Sequence, residues 1–206
     1  MAEISSTTVH RWLAAWLTVF LSTAVAGDIQ EQHHYYAVNG DSPASIWADM
    51  RAKAPAGQDG NRYNATTAWK VRWHFPFERN TEGCTTGDVT VDLTVTYTLP
   101  RWERSSSNAS ATVANQWDRY IQALELHEDG HADFGRRAAR RIQSTLQSIP
   151  AQPSCDALQE TANAEGQRIL VEMRPEEREY DRRTQHGATQ GTAFFRELAT
   201  GKGSGR

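Results

Sequence analysis

Two histidines four residues apart, with a glutamate directly after the first, form the stretch richest in chemistry: His127-Glu128-Asp129-Gly130-His131. On a helix that spacing puts both imidazoles on one face, one turn apart. Both can then reach a single Zn2+ at about 2.0–2.1 Å, while Glu128 is left to contact a water on the metal without binding the metal itself. The ion would lower the pKa of that water towards about 7, and Glu128 would take its proton as it attacks a polarised carbonyl. The chemistry expected is zinc-dependent hydrolysis of a peptide bond in a protein or peptide substrate. Two other readings use the same residues. A zinc hydrolase could cut a non-peptide bond, such as a cell-wall amide, and an envelope binding module could hold zinc for stability alone.

A catalytic zinc needs a third protein ligand and an open position. The compact arrangement with a histidine six residues after His131 is excluded, because Arg137 stands there. If the helix bearing the motif turns back on itself around Pro150 and Pro153, helical rise places residues 171 to 178 opposite the two histidines. The chain then runs through Tyr180-Asp181 to His186-Gly187, where a turn at Gly187 would bring His186 onto the metal. Glu172 and Glu165 are equal rivals on geometry. Tyr180 is either a hydrogen-bond donor to a developing oxyanion or a ring packed on the helix pair. Asp129, Asp133 and Asp181 are candidates to orient ligand imidazoles through their second nitrogens. The cluster Arg136, Arg137, Arg140 and Arg141 reads as a solvated helix face, with contact to an acidic surface as the alternative. His74, His33 and His34 are not expected to be ligands.

The elements that must position these groups are legible in the patterning. Trp69, Val71, Trp73, Phe75 and Phe77 alternate with polar residues, as do Val89 to Leu99, and each run reads as a strand with one apolar face. The short segment between them allows an antiparallel pair. His33 to Val38 is a further strand, and Ser42-Pro43 opens a helix as N-cap and first helical residue. From about Ala111 to Arg183 the pattern is helical, broken at Pro150 and Pro153, with a kink or restart expected at Pro175. The fold class is α+β, with a small antiparallel sheet packed against a pair of long antiparallel helices.

The chain has 206 residues, a formal net charge of -3 and 38% hydrophobic residues. With a mean hydropathy of -0.67 and a pI near 6.2, multi-span membrane proteins and a positive field for nucleic acid are excluded. Residues 1–26 read as a secretory signal, with an apolar run from Trp12 to Val25 and cleavage after Ala26. The mature chain is expected in the periplasm or outside the cell, without stable membrane insertion. In that oxidising setting Cys84 and Cys155 are expected to form a disulfide. Residues 27–187 form the zinc-dependent domain, and 188–206 read as a flexible tail.

Several stretches resemble the DUF922 family of predicted secreted bacterial zinc-dependent proteases. They are Trp69-Lys70-Val71-Arg72-Trp73, Gly83-Cys84, Leu99-Pro100-Arg101-Trp102, the motif at 127–131, Cys155, and Tyr180-Asp181 through Thr184, His186-Gly187 and Gln190-Gly191. The resemblance covers most of the mature chain and implies His186 as third ligand in preference to Glu172 or Glu165. Since the family's protease label itself rests on the motif, it adds little to the choice of reaction.

Overall fold

The computed structural model describes residues 27–57, 60–104 and 108–201. The expected signal segment lies outside them. The order of elements is β1 (Ile29–Val38), α1 (Pro43–Lys53), β2 (Thr66–His74), β3 (Phe77–Asn80), β4 (Gly83–Thr86), β5 (Thr90–Trp102), α2 (Ala111–Gln147), α3 (Cys155–Thr184) and, after a 3-10 turn at Ala188–Gln190, α4 (Ala193–Thr200). Among the described residues no helix is long and apolar enough to cross a membrane.

β5 is the centre of a three-stranded sheet ordered β1-β5-β2. Its odd-numbered residues Val91 to Leu99 are buried, and each intervening residue from Thr90 to Thr98 is half-exposed. One face therefore meets the helices, as the two-residue period requires. β2 pairs with β5 antiparallel, as expected, but β1 pairs with it parallel, from Ile29 opposite Leu93 to Val38 opposite Trp102. The sheet is mixed, because β2 returns antiparallel to β1 after α1 and β5, antiparallel to β2, then inserts between the two and so runs parallel to β1. β2 stops at His74, one residue before Phe75-Pro76. Phe77, expected on the same apolar face, is exposed and opens a separate hairpin of β3 and β4.

Ser42 caps α1 through a reciprocal bond with Ser45, and Ser110 and Ser154 cap the two long helices. Each cap satisfies an N–H that has no partner inside its helix. α2 and α3 run antiparallel: four residues forward from Arg137 to Arg141 correspond to four residues back from Glu176 to Glu172 in their ion pairs. Pro175 is accommodated within α3 without ending it. The apolar stripe of α2, including Trp117, Leu124, Ala138 and Ile142, lies against the buried face of β5. Gly135 permits this approach, since a Cβ there would stand 2.9 Å from the Trp69 ring.

Cys84 and Cys155 are joined, as expected, and tie β4 to the first residue of α3 across 71 positions of sequence. The C-terminal segment is not a loose tail over its described part. α4 carries Phe195, which is fully buried between Trp117 and Tyr120. An apolar ring that removes this much surface from water anchors the segment that carries it.

Candidate metal centre

Helix α2 presents His127 and His131 one turn apart, and antiparallel α3 brings Asp181 opposite them. Asp181 Oδ1 lies 3.3 Å from His127 Nε2 and 3.0 Å from His131 Nε2. One ligand atom from each residue falls within 4.8 Å of the others. Two donors held at about 2.0–2.1 Å by one tetrahedral ion stand about 3.3 Å apart, so the spacing fits a zinc ion.

The far side of each imidazole is held by an acceptor. His127 Nδ1 is 2.9 Å from Gln190 Oε1. The Gln190 amide nitrogen donates to the Tyr180 hydroxyl at 3.1 Å, and that hydroxyl donates to the His127 carbonyl at 3.1 Å. This chain of bonds places the proton of His127 on Nδ1, because an amide oxygen only accepts. The Nε2 lone pair then faces a carboxylate oxygen, an arrangement that a cation between them would satisfy. His131 Nδ1 is 3.4 Å from Glu177 Oε1, which also accepts the Trp69 indole N–H at 3.1 Å. Acceptors behind both rings leave both Nε2 atoms for a metal.

The electrostatics of the cluster are those of a tightly packed ionic group. Burial disfavours the charged form of His131, but Asp181 and Glu177 outweigh it and push its pKa up to about 10. Burial likewise opposes the charge on Asp181, yet the adjoining His127 and His131 hold its carboxyl well below the usual range. Glu128 is 4% exposed. Burial raises its pKa, against the Thr67 hydroxyl, which donates to Oε2 at 2.7 Å. His127, Glu128, His131 and Asp181 all line one cleft of about 1300 Å³, with Thr67 in its wall.

The sequence-predicted residues separate clearly. His127, His131 and Glu128 share the cleft. His186 stands beside the cluster and outside the convergent set: it is 61% exposed, with Nδ1 3.5 Å from Asp181 Oδ1. Glu172 pairs with Arg141 and Arg168, and Glu165 with Arg168, on an outer face of α3. Tyr180 stacks on the His127 ring at 5.2 Å. Its hydroxyl is bound to the His127 carbonyl and to the Gln190 amide. Gly130 makes room for it, as a Cβ at that position would lie 2.0 Å from the hydroxyl.

Asp129 and Asp133 do not touch an imidazole; both pair with Arg136, which also reaches Glu31 on β1. With Arg137 and Arg141 paired to Glu176 and Glu172, the expected solvated arginine face is largely a set of ion pairs between elements. His74 and His33 lie away from the cluster, against Asp92 and Tyr97 respectively.

Three contributors were given no role by sequence: Gln190, quoted only within the family resemblance, Glu177 and Thr67. Their signals were weak, since none sits in a metal-binding spacing. Gln190 comes close to His127 because α3 ends in two left-handed residues, Gln185 and His186, each with φ 51°, before Gly187 at φ 81°. The chain therefore turns back at Gly187, as the spacing suggested.

A family model described as "Bacterial protein of unknown function (DUF922)" matches residues 33–187. No curated protein and no solved structure matched.

Proposed function

The chain belongs to the DUF922 family, and from the geometry of the cleft we propose that it is a zinc-dependent hydrolase of peptide bonds. The observation that carries the reading is the convergence of His127 Nε2, His131 Nε2 and Asp181 Oδ1 beside a buried glutamate. Zinc held by these three atoms would supply Lewis acidity towards a water and a peptide carbonyl.

The residues of the chain do the rest. Glu128, in an environment that raises its pKa, accepts the proton of the attacking water and delivers it to the departing nitrogen. Thr67 fixes the orientation of that carboxylate through Oε2. Gln190 and Glu177 hold the two imidazoles in the orientation that aims Nε2 inward. Asp181, rather than His186, is the third ligand in this reading, because only its carboxylate lies among the converging atoms. Zn2+ remains the metal that suits a set of two imidazoles and a carboxylate with an open position. Export is part of the proposal, supported by the Cys84–Cys155 bridge and the apolar run at 12–25.

The test combines zinc content with hydrolysis of a peptide library. Glu128→Gln is expected to retain stoichiometric zinc while losing about 10²–10⁴-fold in rate. Asp181→Ala is expected to lose zinc, and His186→Ala to keep it. Undiminished hydrolysis by Glu128→Gln would overturn the mechanism. A protein that binds zinc, melts lower on chelation and cuts no peptide would be a zinc-stabilised binding module, and cleavage confined to cell-wall amides would change the substrate class.

A further inference from the structure

Resting on that reading, we infer that the cleft takes an acidic peptide, with carboxylate side chains flanking the bond to be cut. Six cationic side chains line the cleft, namely Arg51, Arg62, Lys70, Arg174, Arg178 and Arg196, against three carboxylates. All three carboxylates are occupied: Glu128 by Thr67, Glu177 by Trp69 and His131, and Asp181 by the two histidines. The chain as a whole is slightly acidic, with a formal net charge of -3, so the cationic lining is a local departure.

The arginines also differ in how they are neutralised. Outside the cleft, Arg136, Arg137, Arg141 and Arg168 each have a carboxylate partner. Inside it, Arg51, Arg174, Arg178 and Arg196 are exposed and form no ion pair among the described residues. Unpaired guanidinium groups in a concave wall focus a positive potential on whatever enters and match carboxylates with two parallel N–H donors.

Their positions set a register. Arg178 lies four residues after Arg174 and three before Asp181, and Glu177 three after Arg174 and four before Asp181, so all four share one face of α3. At the α-helical rise, Arg178 and Arg174 stand about 4.5 and 10.5 Å along the axis from Asp181. An extended peptide advances about 3.3 Å per residue, so these arginines address carboxylates about one to three positions from the scissile bond. Arg51 on α1 and Arg196 on α4 belong to another part of the wall, on two helices that pack together.

The experiment measures binding and cleavage separately. Fluorescein-labelled peptides of equal length, one rich in Asp and Glu, one with Asn and Gln in their place and one rich in Lys, are titrated against zinc-loaded full-length protein carrying Glu128→Gln. The acidic peptide is expected to bind about tenfold more tightly than the neutral one, with the preference shrinking as salt rises. Arg174→Glu with Arg178→Glu should abolish or reverse that preference, while Arg168→Glu, away from the cleft, should leave it intact. Melting curves of each variant exclude a folding defect, and the same titration of wild-type protein under chelation gives a second reading independent of the Glu128 change.

Equal binding of acidic and neutral peptides would overturn the inference, as would an acidic preference that survives the double substitution. Binding to phosphatidylglycerol vesicles that the double substitution removes, with no discrimination among peptides, would also overturn it, by making the cleft a site for anionic lipid. If the acidic peptide binds selectively and no peptide is cut by the wild type, the cleft assignment stands and the peptidase reading fails.

Discussion

Gln190 Oε1 accepts a hydrogen bond from His127 Nδ1 at 2.9 Å, across 63 positions of sequence. The bond makes the segment after α3 part of the candidate metal centre, because it orients the imidazole and selects the tautomer that leaves Nε2 bare. Gln190→Leu is therefore expected to weaken zinc binding by about 10–100-fold, the effect typical of losing the partner behind a ligand imidazole. Competition against a chromophoric chelator measures it. Unchanged affinity would show that His127 is held by its ring packing alone.

Gly130 occupies the middle of the histidine pair because Tyr180 lies over it. A Cβ there would stand 2.0 Å from the hydroxyl and 2.4 Å from the ring carbon that bears it. Gly130→Ala must displace Tyr180 and break its bond to the His127 carbonyl, despite the better intrinsic helix propensity of alanine. The expected cost is about 1–3 kcal/mol, as for overpacking elsewhere, read from denaturant unfolding of the zinc-stripped protein. A stabilised variant would contradict the close packing.

The charge on His131 gives the chelator-treated protein a particular pH profile. An unfolded histidine titrates near about 6.5, whereas folded His131 is pushed up to about 10 by Asp181 and Glu177. A group with a raised folded pKa stabilises fully below its unfolded value, and that contribution is lost as pH rises through the folded one. The melting temperature under chelation should thus fall between about pH 6.5 and 10. Asp181, whose pKa is lowered, acts in the opposite direction, and its contribution disappears in acid. Zinc requires neutral imidazoles, so binding near neutral pH should release protons, which calorimetry in buffers of different ionisation enthalpy detects. A flat melting profile under chelation would refute the charge assignment.

The Cys84–Cys155 bridge closes a loop across 71 positions, for which chain entropy gives a stabilisation of roughly 4 kcal/mol in the absence of strain. A double Cys→Ser variant should unfold at lower denaturant with the metal centre intact, because the bridge joins β4 to the start of α3 and the centre lies at the other end of that helix. Loss of zinc binding in a folded variant would indicate coupling along α3.

Much of this protein is written in local periodicity. The alternation from Val89 to Leu99 determined which face of β5 is buried, the Ser-Pro pair determined where α1 begins, and the four-residue spacing placed His127 and His131 on one helical face. Each depends on neighbours within one or two turns or pleats, which is the range over which sequence dictates geometry. The disulfide was legible because only two cysteines exist to form it.

The third converging atom was decided by tertiary structure. Asp181 and His186 lie five residues apart, and either could approach α2 if the helix pair shifted by a turn. The observed register, set by long-range packing and by ion pairs such as Arg137 with Glu176 and Arg141 with Glu172, puts the carboxylate inward and leaves His186 mostly exposed. The same holds for the parallel pairing of β1 and for the docking of Phe195, which converts an apparently loose end into the support of Gln190. Both depend on surfaces that come together only when distant segments pack, and no local pattern encodes which of them will meet.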